Sequence, residues 1–161
     1  MIKTPVKPSR PVLEFATIAK DAAAMHRLLQ TYVSPKGKGP DMHYAIQHGQ
    51  YANPSYNFFV INNFIVGAKP EEVVVIVNPK IVEKVRGTQV MHREGCMSFP
   101  FRHAIKVKRY DEILVEYQVP DEKGEKLISK KDKFTGLMAY IFQHELEHAH
   151  GRNIYIGTNS H

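Results

Sequence analysis

The stretch from Phe134 to Ala149 constrains this chain more than any other. It contains no proline and a single glycine, Gly136, near its start. Leu137, Tyr140, Ile141, His144 and His148 recur at three- and four-residue steps, the mark of one helix face. Residues four apart on an α-helix are rotated by only about 40°. His144 and His148 can therefore grip one metal ion while Glu145 projects beside it to handle the protons of a bound water. A His-Glu-x-x-His string also arises by chance on a solvated helix, so the rest of the chain must supply the remainder of a site.

A catalytic site of this kind takes three protein ligands and leaves one position open. The familiar continuation would place a third histidine at position 154, which is Ile154. A downstream carboxylate is not expected, since Gly151 to His161 holds no Asp or Glu. The missing ligand must lie upstream. The only cysteine, Cys96, sits in Glu94-Gly95-Cys96-Met97-Ser98, where Gly95 is expected to allow close backbone approach. A thiolate suits this class of metal. A lone cysteine is more often a small buried hydrophobe, and it can also be a nucleophile paired with histidine.

Together, Glu94-Gly95-Cys96-Met97-Ser98 and Gln143-His144-Glu145-Leu146-Glu147-His148 resemble, in the right order, the second and third signature motifs of the peptide deformylases. Gly151 also falls where that family has a glycine. The family's first motif, Gly-x-Gly-Leu-Ala-Ala-x-Gln, is matched poorly. The best candidate is Pro40 to Gln47, in which Ala45 and Gln47 agree while both glycines and the leucine do not. His43 reads more readily as a surface residue.

At 161 residues the chain suits one catalytic domain spanning 1–161, with a core of its own. A hydrophobic content of 43% and a charged content of 24% are those of an ordinary globular protein. No apolar run is long enough to cross a membrane, Met1 to Arg10 does not read as a signal peptide, and one cysteine excludes an internal disulfide. A cytoplasmic location is expected, host cytoplasm if the source is a virus. The net charge of +6 comes from basic residues scattered apart from Lys130-Lys131-Asp132-Lys133 and Lys106-Val107-Lys108-Arg109, and without a nucleic-acid motif it reads as solvated surface.

The patterning predicts an extended arm over Met1 to Pro11, a helix from Thr17 to Tyr32, and loops at Ser34 to Pro40 and Gly49 to Ser55. Strands are expected at Phe58 to Asn62, Val73 to Val77, Ile81 to Val85, Ile105 to Arg109, Ile113 to Val119 and around Leu127-Ile128. A bend at Asn78-Pro79 and a turn at Asp121 to Gly124 interrupt them, and the motif-bearing helix covers Phe134 to Ala149. Strands grouped between an early and a late helix make an α+β domain. The resemblance implies small antiparallel or mixed sheets around the C-terminal metal-binding helix, with the first helix N-terminal to them.

The resemblance further implies a hydrolase that removes the N-formyl group from N-formylmethionyl nascent peptides. One divalent metal held by Cys96, His144 and His148 would activate water, with Glu145 as base and then acid. The amide of Gln47 and the backbone N–H of Met97 would bind the oxyanion. Tyr140 and Ile141 would shape the slot for the methionine side chain, and the peptide would add as a strand beside His43, Tyr44 and Ala45. Glu147 stands where the family has an aspartate, and Glu94 is expected to pair with an arginine such as Arg102. One thiolate and two imidazoles suit Fe2+, the metal expected in the cell, and also Zn2+, Ni2+ or Co2+. The enzyme would act as a monomer, with the ribosome near the peptide exit as a further partner. Two other readings compete: an amidase or peptidase of altered substrate, and a non-catalytic metal-binding module at the ribosome. A cysteine hydrolase built on Cys96 explains neither the paired histidines nor Glu145.

Overall fold

A computed structural model of the chain describes residues 2–5, 7–31, 44–96, 98 and 104–155. The predicted loop at Ser34 to Pro40, together with His43, Met97 and Arg102, lies outside them. Among its described residues the predicted N-terminal arm forms no helix and makes a bridge, Arg10 to Tyr56. A 3-10 turn, Phe15–Thr17, leads into α1, Ala19–Thr31. The stripe Ala22, Met25 and Leu29 is buried, and Asp21 in the first turn complements the helix dipole.

A five-stranded antiparallel sheet follows the order β1 (Ala45–Gln47), β2 (Phe58–Ile61), β3 (Val74–Lys84), β6 (Glu112–Pro120), β7 (Leu127–Thr135). A second sheet pairs only β4 (Gln89–Glu94) with β5 (Ile105–Tyr110). The last helix, α4, spans Leu137–Ala149. Helices therefore lie early and late, with two small sheets between them, as the α+β expectation required.

Strand β2 is apolar at every position because it is covered on both faces. Phe58 and Val60 join α1's Met25 and Leu29 in one core. Phe59 and Ile61 join Ile141, Phe142 and Leu146 of α4 in another, where the Phe59 and Phe142 rings meet edge-on at 5.6 Å. Each such aromatic or branched side chain, fully buried, contributes about 1.5–3 kcal/mol. Helix α4 is thus pressed onto the sheet by its apolar side, which fixes where its histidines point.

Several boundaries differ from the sequence reading. The expected break at Asn78-Pro79 is a bulge within one continuous strand, with pairing shifted between Val77 and Lys80. Asn78 adopts the left-handed conformation (φ 49°), which asparagine tolerates better than most residues. Its amide holds the N-terminal arm, accepting from Val12 N at 2.8 Å and donating to Val12 O at 2.7 Å. The motif helix starts at Leu137 rather than Phe134, because Phe134 belongs to β7 and Gly136, at φ 61°, turns the chain. Strand β7 extends well beyond Leu127-Ile128, since backbone pairing with β6 continues through the lysine-rich segment. The predicted loop at Gly49 holds a single helical turn, α2 (His48–Tyr51), and another turn, α3 (Asn63–Val66), follows β2. Strands β1 and β4 were not predicted, being short and half polar.

Candidate metal centre

Strand β4 ends at Glu94, and the chain then delivers Cys96 to the side of α4 that carries His144 and His148. The potential ligand atoms of these three residues all lie within 4.8 Å of one another. Cys96 Sγ is 3.4 Å from His148 Nε2. His148 is fully buried, Cys96 is 6% exposed, and the His144 side chain is 12% exposed. A thiolate and two imidazoles converging in a dry pocket is the donor set of a borderline-soft divalent metal, and the residues fit such an ion.

Each imidazole is oriented by its other nitrogen. His144 Nδ1 lies 2.8 Å from Glu94 Oε1, and a carboxylate only accepts, so Nδ1 carries a proton and Nε2 is the nitrogen available to a metal. His148 Nδ1 lies 3.0 Å from the Arg152 carbonyl, with the same consequence. Gly151 makes that second contact possible. At φ 77° it closes the helix end, so that Arg152 N bonds to Glu147 O and the Arg152 carbonyl turns back onto His148.

Glu94 is the hub of the pocket. It accepts from Arg109 Nε at 2.8 Å and Arg109 Nη2 at 2.7 Å, and His92 Nδ1 lies 2.9 Å away. Arg109 also binds Glu147, the residue standing at the family's aspartate. The buried partner of Glu94 is therefore Arg109; the suggested Arg102 lies outside the described residues. Burial alone would raise the Glu94 carboxyl, but hydrogen bonds from His144, His92 and Arg109 hold it well below the usual range. Burial would lower His144, yet its hydrogen bonds with Cys96 and Glu94 and the charge of Glu145 push it well above 6.5. Burial and the neighbouring His144 push His148 well below it.

Glu145 is 4% exposed, and its Oε2 has no hydrogen-bond partner among the described residues. Burial pushes its carboxyl up to about 7. A carboxyl so tuned can both take and return a proton near neutrality.

The structure separates two glutamines that the sequence reading did not weigh against each other. Gln47 is turned away from the sulfur: its Nε2 donates to Ser9 Oγ at 2.9 Å and its Oε1 accepts from Gly49 N at 2.6 Å. It caps α2, where Gln50 Oε1 accepts from Gln47 N at 2.9 Å to complete a capping box. Gln50 Nε2 instead points to Cys96 Sγ at 3.9 Å and Ser98 Oγ at 3.1 Å. The amide that lies beside Cys96 is that of Gln50, while Gln47, expected there, faces Ser9 and Gly49. The spacing Gln47-x-x-Gln50 was a capping signal in the sequence that would have separated the two roles. The glycine expectation shifts similarly. Among the described residues a Cβ at Gly95 would meet nothing within 4 Å, whereas one at Gly49 would fall 2.6 Å from Gln47 Oε1.

Of the expected substrate contacts, Tyr44 is half-buried, and Ala45 is buried on β1, an edge strand whose other side is unpaired among the described strands. Ile141 is packed in the core beneath α4. Tyr140 lies with its ring 4.3 Å from that of His92 and donates its hydroxyl to Asp111. Sequence reasoning missed Arg109 and His92. Alternation along β5 does put Arg109 on the side of buried Val107, which marks it as an inward charge needing partners.

The family model for polypeptide deformylase matches residues 7–160. A peptide deformylase of Thermus thermophilus is 33% identical over 156 residues, covering 89% of this chain and 71% of that protein. One from Chloroflexus aggregans is 34% identical over 87 residues, 54% of this chain and 43% of its own length, so the match spans less than half of that relative. The crystal structure of peptide deformylase from Thermotoga maritima superposes with a TM-score of 0.74 at 25% identity, covering 96% of this chain and 94% of that one.

Proposed function

Because the chain belongs to the polypeptide deformylase family, we propose that it is a metal-dependent hydrolase removing the formyl group from N-formylmethionyl peptides. The observation that carries this reading is the convergence of Cys96, His144 and His148 within 4.8 Å, beside the unpartnered Oε2 of Glu145.

Cys96, His144 and His148 would hold one divalent ion, which when bound supplies Lewis acidity and lowers the pKa of water. Everything else falls to the protein. Glu145 receives a proton at Oε2 from the attacking water and returns it to the departing amine. The Gln50 Nε2 amide donates to the formyl oxygen as charge develops there, assisted by the backbone N–H of Met97. Glu94 and the Arg152 carbonyl keep both imidazoles in the ligating tautomer. The free edge of β1 takes the peptide as an added strand near His43, Tyr44 and Ala45. The burial of Cys96 favours the small formyl group over bulkier acyl groups. In this reading the protein works as a single-domain monomer in the cytoplasm on chains leaving the ribosome, with Fe2+ as its metal.

Glu145→Gln should retain one equivalent of metal and lose about 10²–10⁴-fold in turnover of formyl-Met-Ala-Ser. Formate release and metal content are measured together, and full activity in the variant would remove the proposed base. Acetyl-Met-Ala-Ser in the same assay separates a deformylase from a broader amidase. Iron is tested by decay of activity in air and its persistence in nickel-loaded protein.

A further inference from the structure

The fold brings six basic residues from four separate parts of the chain, Lys80, Lys84, Arg93, Lys106, Lys108 and Arg152, onto one side of the molecule. On the β4–β5 ribbon, Arg93 is paired with Lys106, Met91 with Lys108, and Gln89 with Tyr110. Opposed residues share a face and alternate ones repeat it about 7 Å further along. This outer face of the ribbon therefore carries three cations and no carboxylate, and Arg93, Lys106 and Lys108 are all exposed. The inner face carries buried Glu94, Val107 and Arg109.

At the Tyr110 end the ribbon opens into a cleft of about 420 Å³ whose lining includes Lys80, Lys84, Lys108, His150 and Arg152. These five side chains are exposed. Among the described residues none of them has a carboxylate within ion-pair distance. The one acid of the lining, Glu147, is bound by buried Arg109. Lys84 Nζ lies 5.6 Å from the Tyr110 ring centroid, so a cation and an aromatic face are offered together. The cleft uses the side of α4 bearing Gln143, Leu146, Glu147 and His150, turned away from that of His144 and His148.

We propose that this ribbon face and cleft form a docking surface for the phosphate backbone of structured RNA. Small ligands are held by a few buried, convergent polar groups. Here the donors are exposed cationic side chains spread over β3, β4, β5 and the end of α4, an arrangement suited to many phosphates and to salt-dependent, sequence-independent binding. An anionic membrane would need an apolar wedge, and Met91 is the single large apolar side chain on the ribbon's outer face. The surface is distinct from the metal centre, so its failure and that of the deformylase reading are separable.

The test is fluorescence anisotropy of a labelled RNA hairpin titrated with the full-length, metal-loaded protein at several salt concentrations. Replacing Lys80, Lys84 and Lys108 together by Gln should weaken binding at least tenfold and reduce the salt slope by about 2–3. The matched triple Lys123→Gln, Lys126→Gln and Lys130→Gln removes the same charge from the β6–β7 turn and the start of β7 and should change affinity less than twofold. Melting temperature and metal content report that both variants are folded. Absence of binding, equal loss in both triples, displacement by equimolar tripolyphosphate, or tighter binding to phosphatidylglycerol vesicles would each overturn the proposal.

Discussion

Individual residues divide here into those that meet the reacting groups and those that hold them in place. Gln47 and Gln50 show the distinction. Gln50→Ala should lower kcat by about 10²–10³, as loss of one oxyanion donor does, on top of a stability loss of about 1 kcal/mol from its half of the capping box. Gln47→Ala should lower stability by about 1 kcal/mol through loss of the cap, leaving the chemical step largely intact. A denaturation curve and a rate for each variant check both. His48 gives a pH prediction. Burial outweighs the raising effect of Asp21 and lowers its pKa below 6.5. As pH falls, the unfolded chain takes the proton first. The contribution of His48 to stability is therefore full above about pH 6.5 and is lost as pH falls through the lower folded value. His48→Asn, whose Oδ1 can still accept from Tyr56 N, should flatten melting temperature against pH between about 7.5 and 5.5 relative to the wild type.

Among the elements, α4 and the β4–β5 ribbon are joined by a buried charge network and by Gln143, whose amide bonds both the N–H and the carbonyl of Tyr110. Arg109 on β5 holds Glu94 on β4 and Glu147 on α4, and all three are at most 8% exposed. Arg109→Met would leave two buried carboxylates without their cation, at a cost of about 3–5 kcal/mol. Metal affinity should fall as well, because Glu94 would no longer be held against His144. Chemical denaturation and a metal titration measure the two effects, and retention of both would show that the arginine is dispensable. The helix itself was legible in the sequence because its three- and four-residue period is local. Its start was not, because whether Phe134 extends a strand or begins a helix is decided by pairing with Ile113 on β6.

For the molecule as a whole, the metal centre joins parts of the chain that meet only on folding, with Cys96 and His148 separated by 52 positions. An ion bound only by the folded state stabilises it by mass action. Removing it with a chelator should lower the melting temperature by roughly 5–10 °C, and adding back Ni2+ or Zn2+ should restore it. An unchanged melting temperature would mean that the three residues do not bind metal appreciably.

What the sequence determined by itself was the chemistry of the donors. The four-residue step between His144 and His148, the carboxylate between them and the single cysteine in its motif are short-range features, and the backbone geometry of a helix converts them directly into a partial site. Only the tertiary structure decided which glutamine faces the sulfur, which arginine neutralises Glu94, and that dispersed lysines share one surface. Those relations depend on strand pairing and side-chain burial across 15 to 50 positions, as between Arg109 and Glu94 or His144 and Glu94. No local periodicity encodes them, because the partners compete for each other only once the core has closed.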